Sequence, residues 1–379
     1  MTKIDQRLLV FFLIPHLTAG GAERVIVTLL KYYDRNKFRL TLVVIDSIEA
    51  FYLDEIPKDI ELIDLRTRRV RSAILKLVRI IWKRRPDVVV STVGHLNLAL
   101  SIAKPLLPKK TRCVARETSV VSVHLRGQEN AKVWTWAYRT FYSRFDHIIC
   151  QSVEMYEDLA ANFAIPLKKL TVINNPVDID HIKQLAGHGA KTSLDCDLDF
   201  SNNAIIHLVA VGRLVRQKGF DLLIEAIALS GLKQLRVTIL GEGPLRKTLE
   251  QFARMKGVEH QVRFIGIQKN PYHFMARADA FVLCSRYEGC PNVVLEALAC
   301  GTHVIATPAP GGLEEIERST GGVRLTAAVS AASLSTELVR FTSNRPKIAQ
   351  INLDQFRVDK IVKEYERILI GDTPRSGFP

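Results

Sequence analysis

The chain has 379 residues, of which 47% are hydrophobic and 24% are charged, and its formal net charge is +14. An apolar fraction of this size fits a globular protein and excludes a disordered one. The length exceeds what one hydrophobic core usually serves, so two domains are expected.

The first apolar segment, LLVFFLIPHL at residues 8–17, follows Lys3 and Arg7 in the manner of a targeting signal. It is too short to span a bilayer, and Pro15 and His16 interrupt it. A Gly turn and an apolar-periodic segment follow at once. We therefore predict that this segment forms the first buried strand of a parallel sheet.

The hydrophobic pattern predicts alternating elements through the first half of the chain: strand 7–14, helix 22–33, strand 39–45, helix 71–84, strand 87–92, helix 96–105, strand 111–115, helix 128–144 and strand 146–150. Such alternation indicates an α/β fold with a parallel sheet covered on both faces, in which ligands bind at the carboxyl ends of the strands. The alternation restarts at Ile205, after a polar stretch at 188–203 that we predict to be a linker. We expect one domain over 1–185, a second over 204–355, and a final amphipathic helix at 356–370.

The chain has six cysteines, at positions 113, 150, 196, 284, 290 and 300, and no CxxC motif. We expect them to be reduced in a cytoplasmic protein, with neither a disulfide framework nor a metal site.

Asp-x-Asp pairs occur at 178/180, 195/197 and 197/199, in or beside the predicted linker. We interpret them as solvated turn residues, so no metal cofactor is expected.

The turn after the first predicted strand reads HLTAGGAERV. Gly20 and Gly21 would let backbone amides approach a ligand, just before Glu23 opens a helix. An ordinary strand-to-helix turn is the alternative.

Polar residues follow two further predicted strands. His95 comes after VVVST, and Arg116 and Glu117 come after TRCVA. Because the carboxyl ends of parallel strands meet at one edge of a sheet, we expect these three side chains to face a ligand. A structural hydrogen bond is the alternative for His95.

The segment VAVGRLVRQKGFDLLIEAI, residues 209–227, runs from an apolar strand through a Gly turn into an amphipathic helix. Arg213, Arg216 and Lys218 lie in the turn. A cationic turn at the end of a strand suits a diphosphate, with Arg213 offering a planar fork and Lys218 a point charge. Solvated surface cations are the alternative.

The segment SRYEGCPNVVLEALACG, residues 285–301, places Glu288 in a turn and Glu296 about one turn inside the following helix. Pro291 suits the first position of that helix, and Gly301 suits its C-cap. The N-terminus of this helix favours a phosphate. Carboxylates beside it would repel the phosphate, so we expect them to accept hydrogen bonds from the hydroxyls of a sugar and a ribose in the same ligand. Two solvated glutamates are the alternative.

Together, GRLVRQKG and EGCPNVVLEALACG resemble the C-terminal half of the family 4 retaining glycosyltransferases, which have the GT-B fold. The segments LGEGPLRKTL, VRFIG and INNPVDID also occur in the order of that family, so the resemblance covers nearly the whole chain. It implies two Rossmann-like domains whose parallel sheets face each other across a cleft. The helix at 356–370 would cross back onto the first domain.

The resemblance also implies roles by position. Arg213 and Lys218 would hold the donor diphosphate, Glu288 the sugar hydroxyls, and Glu296 the ribose hydroxyls. The implied donor-binding set is Gly212, Arg213, Lys218, Gly241, Ile267 (through its backbone, on the base), Glu288, Gly289, Cys290, Asn292, Val293 and Glu296. The expected acceptor-binding set is Gly20, Gly21, Glu23, Arg116 and Glu117, and the expected catalytic set is Arg213, Lys218, Glu288 and His95. Cys290 stands where such motifs often have Phe. Because of this difference, the resemblance does not identify the donor sugar.

The implied activity is transfer of a hexose or N-acetylhexosamine from a nucleotide sugar, a UDP-sugar by preference, with the anomeric configuration kept. GGAER is similar to the acceptor-side loop of bacterial members that act on lipid-linked sugars, so a glycan or polyprenyl-diphosphate-linked acceptor is expected. The alternatives are a sugar-nucleotide epimerase or a phosphorylase of the same shape. An epimerase needs its own carboxylate and His set, and a phosphorylase needs a lysine-held pyridoxal cofactor; neither pattern is evident.

Positive charge is concentrated in the first half. Residues 1–180 carry 28 basic and 19 acidic side chains, and Arg66 to Arg85 includes nine Lys or Arg and no acidic residue. The stretch 132–145, KVWTWAYRTFYSRF, interleaves aromatics with cations. We expect an anionic membrane surface as a partner, with the protein attached peripherally to the inner face of the cytoplasmic membrane. The alternative is that the aromatic stripe belongs to the hydrophobic core.

Nucleic acid is the other anionic partner that positive charge could indicate. No helix-turn-helix, RNA-recognition or zinc-finger pattern occurs, so no nucleic-acid partner is expected.

Overall fold

A computed structural model describes residues 6–48, 50–67, 70–126, 128–187, 204–345 and 351–372. The chain divides into two compact units. The first comprises Met1–Pro176 and Phe356–Pro379, and the second comprises Val177–Gln355.

The first unit contains a parallel sheet of seven strands: β1 Leu8–Ile14, β2 Phe38–Val44, β3 Glu61–Asp64, β4 Val88–Thr92, β5 Arg112–Arg116, β6 His147–Cys150 and β7 Leu170–Val172. Their order is β3-β2-β1-β4-β5-β6-β7. The helices of this unit are α1 Gly21–Tyr32, α2 Val70–Arg84, α3 Gly94–Ala103, α4 Val121–Leu125, α5 Ala131–Phe141, α6 Val153–Phe163 and, from the C-terminal segment, α14 Val358–Ile370.

Each face of the first sheet has its own hydrophobic core, because successive side chains of a strand point to opposite faces. Phe11 and Leu13 of β1 join the core under α2, α3 and α5. Val10 and Phe12 join the core under α1 and α14. The C-terminal helix thus completes one layer of the first unit.

The second unit contains a parallel sheet of six strands: β8 Ile206–Val211, β9 Leu235–Leu240, β10 Val262–Gly266, β11 Ala280–Leu283, β12 Val304–Ala306 and β13 Val323–Leu325. Their order is β10-β9-β8-β11-β12-β13. The helices of this unit are α7 Ile179–Gly187, α8 Phe220–Ser230, α9 Arg246–Met255, α10 Tyr272–Arg277, α11 Asn292–Ala299, α12 Leu313–Thr320 and α13 Ala331–Ser343.

Each sheet has a topological switch point, where the strand order reverses. The switch lies between β1 and β4 in the first sheet and between β8 and β11 in the second. The crevice outside the carboxyl ends of such strands is the general ligand position in doubly wound sheets. Both sheets therefore carry the predicted α/β, Rossmann-like architecture.

The unit boundary differs from the expected one. The structure divides the chain after Pro176, whereas we expected the first domain to extend to residue 185. The reason is α7, which packs within the second unit, where Asn270 Nδ2 donates to Leu185 O at 2.8 Å. The predicted linker at 188–203 lies outside the described residues.

The predicted strands and helices of the first half are confirmed to within a few residues, including β1 in place of a targeting signal. The helix predicted at 128–144 is shorter, because α5 ends at Phe141 and a 3-10 turn follows. Among the described residues, no helix combines the length and apolar character that crossing a bilayer requires.

Candidate active site

Loops at the carboxyl edge of the second sheet carry all the predicted donor-binding residues. These loops follow β10, β9, β8 and β11, which are neighbours in the sheet. In that order they hold Ile267, then Gly241, then Gly212, Arg213 and Lys218, and then Glu288, Gly289, Cys290, Asn292, Val293 and Glu296, the last three within α11. Parallel strand direction alone gathers these residues onto one edge.

The two loops at the switch point meet in an ion pair between Lys218 and Glu288. Lys218 Nζ lies 2.6 Å from Glu288 Oε1, and Ser285 Oγ donates to the same oxygen at 2.5 Å. The Glu288 side chain is 6% exposed and that of Lys218 is 21% exposed. A partly desolvated, doubly hydrogen-bonded carboxylate is held in one orientation.

Two glycines allow backbones to meet around this pair. Gly219 has φ of +64°, and a Cβ there would overlap the carbonyl oxygen of Cys284. Gly311 has φ of +115°, and a Cβ there would overlap the carbonyl oxygens of Glu288 and Gly289. Only glycine serves at either position, because a side chain would meet both strain and a clash.

The loop after β12 is a part of the site that the sequence reasoning missed. Glu288 N donates to Pro310 O at 2.8 Å, and Gly312 N donates to Gly289 O at 3.0 Å. This loop supports the Glu288 turn from the side opposite β8. The Gly pair at 311–312, directly after TPAP, was the available signal.

Helix α11 begins beside the Glu288 turn and buries Glu296, which is 5% exposed. Pro291 is its N-cap residue, one position earlier than expected. At the other end Gly301 N donates to Leu298 O and Thr302 N donates to Ala297 O, both at 3.0 Å. That pair of bonds, with Gly301 at φ of +80°, is the Schellman arrangement, so the glycine ends the helix as predicted.

Several predicted donor-binding residues are accessible. Arg213 is exposed, and among the described residues no ion pair or side-chain hydrogen bond engages it. Ile267 is 50% exposed. Cys290 and Asn292 are half-buried at the start of α11. The edge thus combines a fixed ion pair with side chains that solvent reaches.

The predicted acceptor turn in the first unit lies at the start of α1. Gly20 is the N-cap residue of α1, and a Cβ at this position would overlap the Glu23 carboxylate. Glu23, at position N3, therefore folds back over the helix start, as the N3 carboxylate of a capping box does. Gly21, the first helical residue, is exposed.

His95 is exposed in the first turn of α3, next to the switch point of the first sheet. Partial desolvation lowers its pKa, and nearby His16 and His124 lower it further. Val93, two residues earlier, has φ of +75°, which is strained for a β-branched residue. Such strain at a strand end is typical of functional turns.

Arg116 and Glu117 require a correction. Both are fully buried, whereas we expected them to contact an acceptor. The Arg116 guanidinium donates to Tyr365 Oη at 3.0 Å, Asn175 Oδ1 at 2.6 Å and Thr92 Oγ1 at 3.2 Å. It joins α14 to the ends of three strands, which is a structural role.

The Glu117 carboxylate is held inside the first unit. Its oxygens accept from Tyr142 Oη at 2.6 Å and from Thr118 N at 2.8 Å. Burial raises the pKa of Glu117, and the two hydrogen bonds oppose that shift. A carboxylate so enclosed does not reach a solvent-borne acceptor.

No cluster of three His, Cys, Asp or Glu side chains suited to a metal ion occurs in the described ranges. Asp178 Oδ1 accepts from His181 N at 3.2 Å, as a turn residue does. The Asp pairs at 195/197 and 197/199 lie outside the described residues.

Comparisons with known proteins agree with this architecture. Two protein-family sequence models match the chain. The family model described as Glycosyltransferase Family 4 matches residues 19–181, and the one described as Glycosyl transferases group 1 matches residues 201–352. The solved structure of Anabaena Alr3699/HepE with UDP-glucose is similar, with a TM-score of 0.79 at 20% identity over 96% of this chain and 100% of that one. WaaG, a glycosyltransferase involved in lipopolysaccharide biosynthesis, gives 0.73 at 17% identity over 96% and 100%.

One curated relative is the N-acetylgalactosamine-N,N'-diacetylbacillosaminyl-diphospho-undecaprenol 4-alpha-N-acetylgalactosaminyltransferase of Campylobacter jejuni. It is 30% identical over 309 residues, which cover 79% of this chain and 80% of the relative. The lipopolysaccharide core biosynthesis glycosyltransferase LpsE of Rhizobium meliloti is 30% identical over 230 residues, 56% of this chain and 63% of the relative. Fold and site thus define a glycosyltransferase of GT-B architecture. The chain belongs to glycosyltransferase family 4.

Proposed function

We propose that this enzyme transfers a hexose or N-acetylhexosamine from a UDP-sugar to a glycan acceptor and retains the anomeric configuration. The observation that carries the proposal is the Lys218–Glu288 pair, 2.6 Å apart at the switch point of the second sheet. A cation beside a hydroxyl-binding carboxylate matches the anomeric end of a nucleotide sugar, where diphosphate and sugar share one oxygen. HepE, with its bound UDP-glucose, offers a precedent of the same fold.

The donor roles follow from position along the edge. Lys218 and the exposed Arg213 would hold the diphosphate, while Glu288 accepts from the sugar hydroxyls. Glu296 would accept from the ribose hydroxyls, and the backbone at Ile267 would meet the uracil. The first turn of α11 adds the positive end of a helix dipole, which favours a phosphate.

In the proposed reaction the bond between the anomeric carbon and the diphosphate oxygen breaks, and UDP leaves. The acceptor hydroxyl attacks from the face of the leaving group and forms the glycosidic bond. Its proton passes to the departing phosphate oxygen, so atoms and charge balance. Lys218 and Arg213 stabilise the negative charge that grows on the diphosphate.

The acceptor would bind on the first unit, near Gly20, Gly21 and His95 at the carboxyl edge of that sheet. The Campylobacter jejuni relative is named for a diphospho-undecaprenol acceptor. GGAER resembles the acceptor-side loop of bacterial family members that act on lipid-linked sugars. We therefore propose a polyprenyl-diphosphate-linked glycan, made for the cell surface, as the acceptor class.

We expect the transferase to work without a metal cofactor. With purified enzyme in excess chelator, slow UDP release from one of UDP-glucose, UDP-galactose, UDP-N-acetylglucosamine or UDP-N-acetylgalactosamine should persist. The physical reason is that Arg213, Lys218 and the α11 N-terminus neutralise the leaving diphosphate. Complete loss of UDP release, restored by magnesium, would contradict this. An epimerised UDP-sugar without UDP release would favour the epimerase instead.

We also propose that the first unit attaches the enzyme to an anionic bilayer at the inner face of the cytoplasmic membrane. Large apolar side chains are exposed on α2, on α3 and the turn after it, and on α5: Leu75, Trp82, Ile102, Leu106, Val133, Trp134 and Trp136. Trp82 Nε1 donates to Leu106 O, and the Arg85 guanidinium lies 4.3 Å from the Trp82 ring, so cations border this apolar surface. Tyr138 is 5% exposed and belongs to the core, so the aromatic stripe serves both roles.

The double variant Val133→Ser/Trp136→Ser should lose most of its sedimentation with vesicles of phosphatidylcholine and phosphatidylglycerol. Both residues are mostly exposed, at 60% and 59%, so these substitutions should disturb the fold little. The control Leu229→Ser changes an equally exposed apolar residue of α8 in the second unit. Undiminished sedimentation of the double variant would contradict the membrane surface, and binding to phosphatidylcholine alone would remove the charge argument.

A further inference from the structure

A second ion pair, between Arg286 and Asp221, lies beside the Lys218–Glu288 pair. Arg286 Nη1 donates to Asp221 Oδ1 at 2.8 Å, and Nη2 donates to Oδ2 at 2.6 Å. The same Nη1 donates to Arg216 O at 2.9 Å. A bidentate guanidinium–carboxylate pair fixes orientation as well as distance.

The pair joins the two turns that carry the proposed catalytic residues. Arg286 N donates to Gln217 O at 2.8 Å, and Gln217 Nε2 donates back to Tyr287 O at 3.0 Å. Cys284 Sγ donates to Lys218 O at 3.1 Å. The turn 216–219 is therefore bonded along its length to the strand end and turn at 284–288.

The residues that make these hydrogen bonds are close in sequence to the proposed catalytic pair, Lys218 and Glu288. Arg286 precedes Glu288 by two residues, and Gln217 directly precedes Lys218. Asp221 lies in the first turn of α8, so it ties both turns to a rigid helix. Hydrogen bonding from Arg286 also lowers the pKa of Asp221, as expected for a pair formed in the native state.

We propose that Arg286 and Asp221 are positioning residues, which set the separation of Lys218 and Glu288 without touching the donor. This inference rests on the proposed function of that pair. Partly exposed ion pairs contribute little to stability, and here the side chains are 27% and 43% exposed. Their effect on the reaction should be larger, because small misplacements of reacting groups cost up to about 100-fold in rate.

The test compares Asp221→Asn and Arg286→Gln with a matched control on the same helix. Glu225→Gln breaks another ion pair of α8, in which Lys256 Nζ lies 2.8 Å from Glu225 Oε1. We expect the first two variants to lower kcat for the donor by about 10- to 100-fold, mainly without a change in KM. The Glu225 variant should stay within about twofold of wild type, with a similar melting temperature in all three.

Two further results decide between positioning and simple stabilisation. The double variant should lose no more activity than either single one, because the two residues act as a unit. Arg286→Lys should recover only part of the loss, since Lys lacks the planar fork. Additive losses, or a kcat equal to that of the Glu225 variant, would overturn the proposal.

Amide hydrogen exchange separates this inference from the proposed function. The backbone amide of Arg286 donates to Gln217 O. Its hydrogen-exchange rate should be higher in Asp221→Asn than in wild type, and the same as wild type in Glu225→Gln. If wild type releases no UDP from any donor, the proposed function fails, and exchange alone decides whether the pair holds the turns together. Unchanged exchange in Asp221→Asn would overturn the positioning role whatever the activity.

Discussion

Replacing Lys218 with Ala should lower the turnover of the nucleotide-sugar donor by about two to three orders of magnitude. Lys218 Nζ is the only side-chain cation within ion-pair distance of Glu288 in the described part of the chain. Its removal takes away the positive charge that we propose stabilises the leaving diphosphate. It also leaves a nearly buried carboxylate with Ser285 Oγ as its remaining side-chain donor.

Arg213→Ala should have an effect of the same order, for a different structural reason. Arg213 is exposed and unengaged within the described residues, so its loss should not disturb the fold. Steady-state kinetics with the preferred UDP-sugar would measure both variants, with Lys247→Ala, an exposed cation of α9, as the control. A fully active Arg213→Ala/Lys218→Ala double variant would refute the assignment.

Arg116→Leu should destabilise the first unit by about 2–4 kcal/mol, as read from the denaturant midpoint. The substitution removes the hydrogen bonds that the Arg116 guanidinium donates to the buried side-chain oxygens of Thr92, Asn175 and Tyr365. The α14 helix loses one of its ties to the sheet, because Tyr365 is the residue of α14 that Arg116 reaches.

Tyr365→Phe is the matched milder change, since it removes one bond and keeps the ring in place. It should cost about 1 kcal/mol. The contradicting result would be an Arg116→Leu protein that unfolds at the same denaturant concentration as wild type but no longer transfers sugar to the acceptor. That result would mean that Arg116 contacts the acceptor, despite its burial.

Sequence periodicity predicts the central strands well and the edge strands poorly. β1, β4 and β5 are buried on both faces, and their apolar runs give their bounds to within one residue. β3 and β7 lie at the two edges of the first sheet. They are short and half-exposed, and β3 begins and ends with acidic residues, so no apolar run marks them.

The site shows the same limit at the level of single residues. Local spacing predicts Lys218 and Glu288, because each lies in a turn between a strand and a helix. It fails for Arg116, because its hydrogen bonds go to the ends of other strands and to α14. Only the sheet order brings Thr92 and Asn175 to it. The Arg286–Asp221 pair escaped for the same reason, since its members are 65 positions apart.

The most direct test of the account is a calorimetric titration of UDP into wild type and Glu296→Ala, with Glu314→Ala as an exposed control on α12. Glu296 is 5% exposed at the site, and a hydrogen bond to a charged group contributes about 1.5–3 kcal/mol. We expect one UDP bound per chain and an affinity about 10- to 100-fold weaker in Glu296→Ala alone. Equal UDP affinity in wild type and Glu296→Ala, or no UDP binding to wild type, would contradict the donor site at the edge of the second sheet.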